Sequence, residues 1–409
     1  MISLETITQA AQLIRHFTVK TPLVYSATLS RRFDAQIYLK LENLQKTGSF
    51  KVRGAGYKLI LGRREGFISS KGVVAASAGN HAQGVALAAR EAGLPAAIVM
   101  PKWASISKQE ATRNYGGRVI VHGATMEESL RHAEGMVASG MTLIHPFDDP
   151  DIIAGQGTVA LEIMADLPEV DTILVPVGGG GLIAGIASAA KSIRPGVRII
   201  GVESAACPCA QVSMRTGKRV LLQAKSSIAD GISVNQLGEA PFAIIQDRVD
   251  DVMTVEEGYI AAAIQMLLER KKILAEGAGA VPLAALLNKT VRPHQGEKMV
   301  LVISGGNVDT PLLGRIIQQG LLKNARIMRV RLTLSDKPGT LAQLLQKIAE
   351  LEANILHIHH DRSVAHRSID ETSVELELET RNAEHIRAIT AALDQAGYRI
   401  EPVAGQLST

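Results

Sequence analysis

The sequence predicts an α/β protein made of two parallel-sheet lobes, followed by a smaller ferredoxin-like βαββαβ sandwich. Three observations carry this. From residue 37 to about 320, short β-rich runs alternate with segments of helical spacing, the pattern of parallel strands covered by helices on both faces. The alternation continues for roughly 280 residues, more than a single sheet and core ordinarily take up, so two lobes with a cleft between them are expected. After Leu322 the pattern changes to half-exposed strands and amphipathic helices in the order β-α-β-β-α-β, a split βαβ arrangement.

Taken in order, Ile37–Leu41, Gly72–Ala76, Ala96–Met100, Val119–His122 and Met141–Ile144 are expected as strands, as are Thr172–Val175, Ile199–Glu203 and Met299–Ile303. Each is short, β-branched or apolar, and bounded by turn residues. Between them Ala82–Ala92, Ser107–Tyr115, Glu127–Ser139, Thr158–Ala165 and Ile183–Ile193 have helical spacing. Further on, Arg326–Leu334 alternates like a strand with one wet face, Asp336-Lys-Pro-Gly339 is a turn, and Thr340–Leu351 is an amphipathic helix. Ala353–Asp361 and Asp370–Glu379 are strands, Ala383–Ala396 a helix, and Tyr398–Val403 the last strand. The expected division is a first domain over 1–322, with a small lobe at about 52–154 inserted in the large one, and a second domain over 326–409.

Composition narrows the function classes. Of the 409 residues, 46% are hydrophobic and 21% charged, as in a folded globular protein. The net charge of +4 arises from 44 basic and 40 acidic residues, well mixed, and the tight cluster Arg270-Lys-Lys272 reads as a solvated helix end. With aromatics at 3%, platforms for stacking bases are not expected, so nucleic acid is not the expected partner. No apolar run reaches the roughly 18 residues of a membrane span. The start, Met1-Ile-Ser-Leu-Glu-Thr, does not read as a signal peptide, and a cytoplasmic location is expected. Cys207 and Cys209 are too close for an easy mutual bridge and lack the partners of a zinc site.

Four stretches carry the chemistry. Thr47-Gly-Ser-Phe-Lys-Val-Arg-Gly-Ala55 places Lys51 between a Gly-Ser turn and a helix start. A lysine amine there can form a Schiff base with an aldehyde cofactor such as pyridoxal phosphate, provided burial keeps it deprotonated. Phe50 supplies an apolar wall, and Gly48 and Gly54 are expected to admit close approach of the cofactor. Gly178-Gly-Gly-Gly-Leu182 joins a strand to a helix, where backbone amides of Gly178, Gly179, Gly180, Gly181 and Leu182 can surround an anion. A dinucleotide fingerprint is the competing reading, since Gly179-x-Gly181-x-x-Ala184 is followed by Glu203 at the end of the next strand. That reading leaves Lys51 and Ser304 without a task. Ser304-Gly-Gly-Asn307 follows the strand Met299–Ile303, and its serine is placed to bond a pyridine nitrogen without forcing its protonation. Ser77-Ala-Gly-Asn-His81 opens a helix whose N-terminus suits a substrate carboxylate, with Asn80 toward a cofactor oxygen. For His81, packed and catalytic roles stand level.

Together these stretches resemble the threonine dehydratase (threonine ammonia-lyase) family, over about residues 15–320. The resemblance implies the tryptophan synthase β-like fold, fold type II, with pyridoxal phosphate on Lys51. It further implies Phe50, Asn80, Gly178 to Leu182 and Ser304 around the cofactor, and Ser77, Ala78, Gly79, Asn80 and His81 around the substrate. Lys51, once freed, is then the base that removes the Cα proton, and L-threonine yields 2-oxobutanoate and ammonia, L-serine pyruvate. Serine racemases are similar, but carry a second serine where this chain has Ala78, which cannot carry a proton, so racemisation is expected to be poor; a serine-preferring dehydratase or a serine racemase is the alternative. Cysteine and threonine synthases of this fold carry Asp or a similar residue where Val52 stands. Some relatives bind a cation through a glutamate matching Glu203, but the stretch Cys207-Pro-Cys209 replaces the downstream carboxylate, so no metal is expected. Residues 326–403 resemble the ACT domains that sense small amino acids, which implies an amino-acid effector, regulation, and a homo-oligomer, dimer or tetramer.

Overall fold

Several strands are apolar and buried along their whole length, which is why their partners flank them on both edges and helices cover both faces. In the computed structural model, which describes residues 2–362 and 368–402, the chain forms two compact units that meet in sequence at Asp309 and Thr310. In chain order the first unit contains β1 (Leu23–Tyr25), β2 (Gln36–Leu41), β3 (Val73–Ala76), β4 (Ala96–Met100) and β5 (Arg118–Val121). It continues with β6 (Thr142–Leu143), β7 (Thr172–Pro176), β8 (Arg198–Ser204), β9 (Asp251–Val255) and β10 (Lys298–Ile303).

These form two sheets. The larger has the order β1-β2-β10-β7-β8-β9 and the smaller β5-β4-β3-β6. Every pairing is parallel except β1 with β2. The small sheet is drawn from the chain between β2 and β7, and each sheet has its own core, one around Ile173, Val175 and Ile183, the other around Val73, Val85 and Ile98. Eight strands stand where the sequence placed them, within a residue or two. The sequence missed β1 and β9. Both are edge strands, one with three residues and the other starting on an exposed aspartate, too short or too mixed to show a period.

The helix expected at 158–165 begins much earlier, at Pro150. Asp149 accepts the amides of Asp151 and Ile152, and proline occupies the first turn, a favourable helix start. The helix interior holds Gly155 and Gly157, which hid its period, and both are there for contact. A Cβ on Gly155 would lie 2.6 Å from Gly54 Cα, in the helix Lys51–Glu65. A Cβ on Gly157 would lie 2.9 Å from the Gly185 carbonyl, in the helix Gly181–Ile193, and one on Gly185 would lie 2.4 Å from the Ile153 carbonyl. The helix Pro150–Asp166 therefore touches both neighbours backbone to backbone.

The second unit contains the helix Thr310–Lys323, β11 (Ile327–Ser335), β12 (Asn354–Asp361), β13 (Glu371–Glu379) and β14 (Arg399–Pro402). Its sheet is antiparallel with order β12-β13-β11-β14. Helices Thr340–Glu350 and Ala383–Gln395 supply Leu344, Ile348, Ile389 and Leu393 to a core with Leu332 and Leu376. The order β-α-β-β-α-β is the one expected. Val403 and the tail to residue 409 lie outside the described residues. Among the described residues, no helix is long and apolar enough to cross a membrane.

Because the Gly157–Gly185 crossing has no room for a methyl group, Gly185→Ala should cost about 1–3 kcal/mol of stability, read as a lower unfolding midpoint. A wild-type midpoint would show that the crossing can relax.

Candidate active site

Lys51 is the first residue of its helix, and Phe50 precedes it with no side chain capping the helix. The turn that leads in is held to the segment after β10. The Phe50 amide donates to the Ser304 carbonyl at 3.1 Å, the Gly306 amide to Gly48 at 2.9 Å, and Ser49 pairs with Gly305. The lysine motif and the serine motif, far apart in sequence, thus form one backbone structure at the carboxyl end of β10. Gly48 takes φ +70°, and a Cβ there would strike Asn307, while a Cβ on Gly54 would strike Gln156 and the Ile152 carbonyl. Both glycines therefore serve packing of the protein against itself, a correction to the expectation that they open room for a cofactor. On another side, a Cβ on Gly84 would lie 3.2 Å from the Lys51 carbonyl carbon, so the helix Asn80–Glu91 lies tight on the same turn.

The Lys51 side chain turns inward. Nζ donates to the Pro146 carbonyl at 2.9 Å and stands 5.3 Å from the centre of the Phe50 ring. Burial pushes its pKa down to about 8, with the charge of Glu276 acting in the other direction. His81 sits beside it, buried, with Nε2 bonded to the Ile144 carbonyl at 2.9 Å. Burial, then the charge of Lys51, lowers its pKa to about 3, so the imidazole is neutral.

Asn80 begins the helix Asn80–Glu91, and Gly79 occupies the capping position with no side-chain cap. The Ser77 hydroxyl accepts from the Gly79 amide at 3.2 Å, leaving the amides of the first turn without a side-chain acceptor. Ala78 is partly buried in the same loop. Asn80 is held at both ends of its amide: Nδ2 donates to Glu276 Oε1 at 2.7 Å, and Oδ1 accepts from Asn307 Nδ2 at 2.8 Å. Burial first, then the charge of Asp230, raises the Glu276 pKa to about 8, against the pull of the Asn80 bond.

The glycine run lies against the same loop, at Phe147. A Cβ on Gly179 would stand 2.2 Å from the Phe147 ring, one on Gly181 3.1 Å from Phe147 Cα, and one on Gly178 3.0 Å from Ile232 Cα. Gly180 has φ +94°, a conformation that favours glycine. Leu182 is buried in the first turn of the helix Gly181–Ile193, which has no side-chain cap. Ser304 is 2% exposed at the end of β10. Lys51, Asn80 and Ser304 are thus joined through Glu276, Asn307 and the backbone, and Pro146–Phe147 connects Lys51 to the glycines.

Glu276, Asn307, Pro146 and Phe147 were given no part from the sequence. Glu276 sits just before a helix with no periodic cue, and a proline carbonyl leaves no trace in sequence. Glu203, weighed as a cation ligand, accepts the amides of Ala210 at 3.0 Å and Gln211 at 2.7 Å and so holds the start of the next helix.

Residues 14–305 match the family model described as pyridoxal-phosphate dependent enzyme. The chain belongs to this family of pyridoxal-phosphate dependent enzymes. Within it, the chain is 46% identical over 405 residues to an L-threonine ammonia-lyase from Thermotoga maritima, covering 98% of this chain and 100% of that one. A solved threonine deaminase, from T.th., superposes with a TM-score of 0.70 at 40% identity, over 75% of this chain and 99% of that one. A maize serine racemase superposes with a TM-score of 0.73 at 36% identity, over 79% and 99%. The match to the pyridoxal-phosphate dependent enzymes establishes the two-sheet unit as fold type II.

The residues present fit pyridoxal phosphate. They offer an inward amine whose pKa is depressed, a glycine turn at an uncapped helix N-terminus for a phosphate, and a buried serine at a strand end. Competitive acylation of the cofactor-free protein, followed by mass spectrometry, should give Lys51 a midpoint near 8; a midpoint at the ordinary 10.5 would contradict the burial of this amine.

Proposed function

We propose that this chain converts L-threonine to 2-oxobutanoate and ammonia, and L-serine to pyruvate and ammonia, using pyridoxal phosphate attached at Lys51. The observation that carries the reading is the end-to-end similarity to an L-threonine ammonia-lyase, 46% identical over 405 residues, in a chain whose lysine is inward and easily neutralised. Phe50, Asn80, Ser304 and the amides of Gly178 to Leu182 are the residues that would hold the cofactor. When bound, pyridoxal phosphate supplies an aldehyde for the substrate amine and a ring that withdraws electron density from Cα.

The chain's own groups do the rest. Ser77, Ala78, Gly79, Asn80 and His81 form the uncapped start of a helix, whose partial positive charge suits the substrate carboxylate. Neutral His81 contributes position and not charge. Lys51 Nζ takes the proton from Cα, a role open to an amine whose pKa is near 8. The β-hydroxyl leaves with one proton as water, and one water then hydrolyses the C=N bond of the remaining imine to give the 2-oxo acid and ammonia. Asn80 is held by Glu276 and Asn307, so the group beside the substrate does not have to be ordered when it binds.

Serine racemisation is the second reading, favoured by the similarity to a maize serine racemase. Ala78 weighs against it, since a methyl group cannot return a proton to the opposite face. In the second unit we propose an ACT domain that binds a small amino acid, with the chain acting as a homo-oligomer in the cytoplasm. The antiparallel βαββαβ architecture supports the ACT assignment.

Purified protein with pyridoxal phosphate should release 2-oxobutanoate from L-threonine, and Lys51→Ala should lower turnover by at least about a hundredfold. Undiminished turnover in that variant would overturn the assignment of the lysine. D-serine accumulating from L-serine faster than pyruvate would favour the racemase instead. For the second unit, isoleucine or valine should change L-threonine turnover of the full-length protein, and indifference to both would count against a sensing domain of this kind.

A further inference from the structure

Arg53 stands two residues beyond Lys51 and takes no part in the chemistry proposed above. Its side chain is 1% exposed. Nε donates to Glu42 Oε2 at 2.7 Å and Nη2 to Glu42 Oε1 at 2.8 Å, forming one fork. Nη1 donates to Glu162 Oε1 at 2.7 Å and Nη2 to Glu162 Oε2 at 3.0 Å, forming a second. Thr158 Oγ1 accepts a further bond from Nη1 at 3.2 Å. The carboxylates are completed by Thr21, whose hydroxyl donates to Glu42 Oε1 at 2.5 Å, and by Lys40, whose Nζ donates to Glu162 Oε2 at 2.5 Å. Two cations face two anions. Burial works to raise the Glu42 pKa, but Arg53 and then Lys40 hold it below the usual carboxylate value.

Buried ion clusters contribute little to stability compared with well-packed apolar side chains, because desolvation offsets their attraction. Their geometry is another matter. A planar guanidinium forked to two carboxylates on different elements accepts essentially one orientation. Here Lys40 and Glu42 come from β2 and the short turn after it, Glu162 from the helix Pro150–Asp166, and Arg53 from the Lys51 helix. Two residues are about 200° around a helix, so Lys51 leaves the side opposite to Arg53. Any rotation of the helix that loosened the forks would swing Nζ.

We infer that Arg53 is a positioning residue for Lys51: its two forks, to Glu42 and Glu162, set the rotation of the helix that carries the reacting amine. The inference rests on Lys51 being the cofactor lysine. Arg53→Lys keeps the charge and loses both forks. In the holoenzyme, at a temperature where far-ultraviolet circular dichroism shows the variant folded, kcat for L-threonine should fall at least about tenfold. KM should stay within roughly threefold, since substrate-binding groups are untouched, and the visible circular-dichroism band of the bound cofactor should lose intensity. A lower melting temperature with wild-type kcat per bound cofactor and a wild-type band would overturn the inference and leave a purely structural role. If Arg53→Lys does not fold, Glu162→Gln, which spares the Glu42 fork, is measured by the same criteria. Lys51→Ala alongside separates the two claims. If it keeps turnover, the assignment of the lysine fails; if it loses turnover while both network variants behave as wild type, only the positioning role fails.

Discussion

Backbone-to-backbone contact along one helix sets the geometry of this molecule. The helix Pro150–Asp166 meets the Lys51 helix at Gly155 and the helix behind the glycine run at Gly157, and side chains at either point would collide with main chain. Such contacts cannot slide or repack as side chains can, because they leave no rotamer to adjust. The separation between the amine and the glycine turn is therefore fixed by two crossings of one rigid rod. The loop just before that rod, His145–Asp148, provides the carbonyl that receives Lys51 and the ring that lies on Gly179. Its end is held too, as Asp148 accepts the amides of Glu239 and Ala240 at 2.9 Å each.

Around that frame burial works against charge on the site's own titratable groups, while Asp230 and Lys108 act on Glu276 from nearby. Burial lowers the pKa of Lys51 and His81 and raises that of Glu276, so each is pushed toward its neutral form. A neutral, enclosed surrounding is the setting in which a lysine can exchange protons near neutral pH. The strong charges of this region, Arg53, Lys40, Glu42 and Glu162, are paired on the far side of the Lys51 helix. There the charges are fully paired and fix orientation.

Much of this was legible in the sequence. Parallel strands with continuous apolar runs, β4, β7 and β10 among them, announced themselves, and the segments around Lys51 and Ser304 are hydrogen-bonded to each other, with the glycine run against the loop that receives Lys51. The rest was hidden for physical reasons. Gly54 and Gly155 serve a helix crossing, and one sequence does not show which glycine faces a ligand and which faces another helix. The Pro146 carbonyl acts through the main chain, which every residue has. Glu276 and Asn307 gain meaning only by touching Asn80, contacts across 196 and 227 residues of chain. His81, balanced between two roles in sequence, is packed and neutral in the structure.

Everything proposed for this chain turns on the enclosed amine of Lys51 as the point of cofactor attachment. The most direct measurement is borohydride reduction of the protein loaded with pyridoxal phosphate, followed by peptide mapping of the pyridoxyl label. One labelled peptide is expected, with the modification on Lys51. A label on Lys46, Lys58 or another lysine, with Lys51 unmodified, would contradict it.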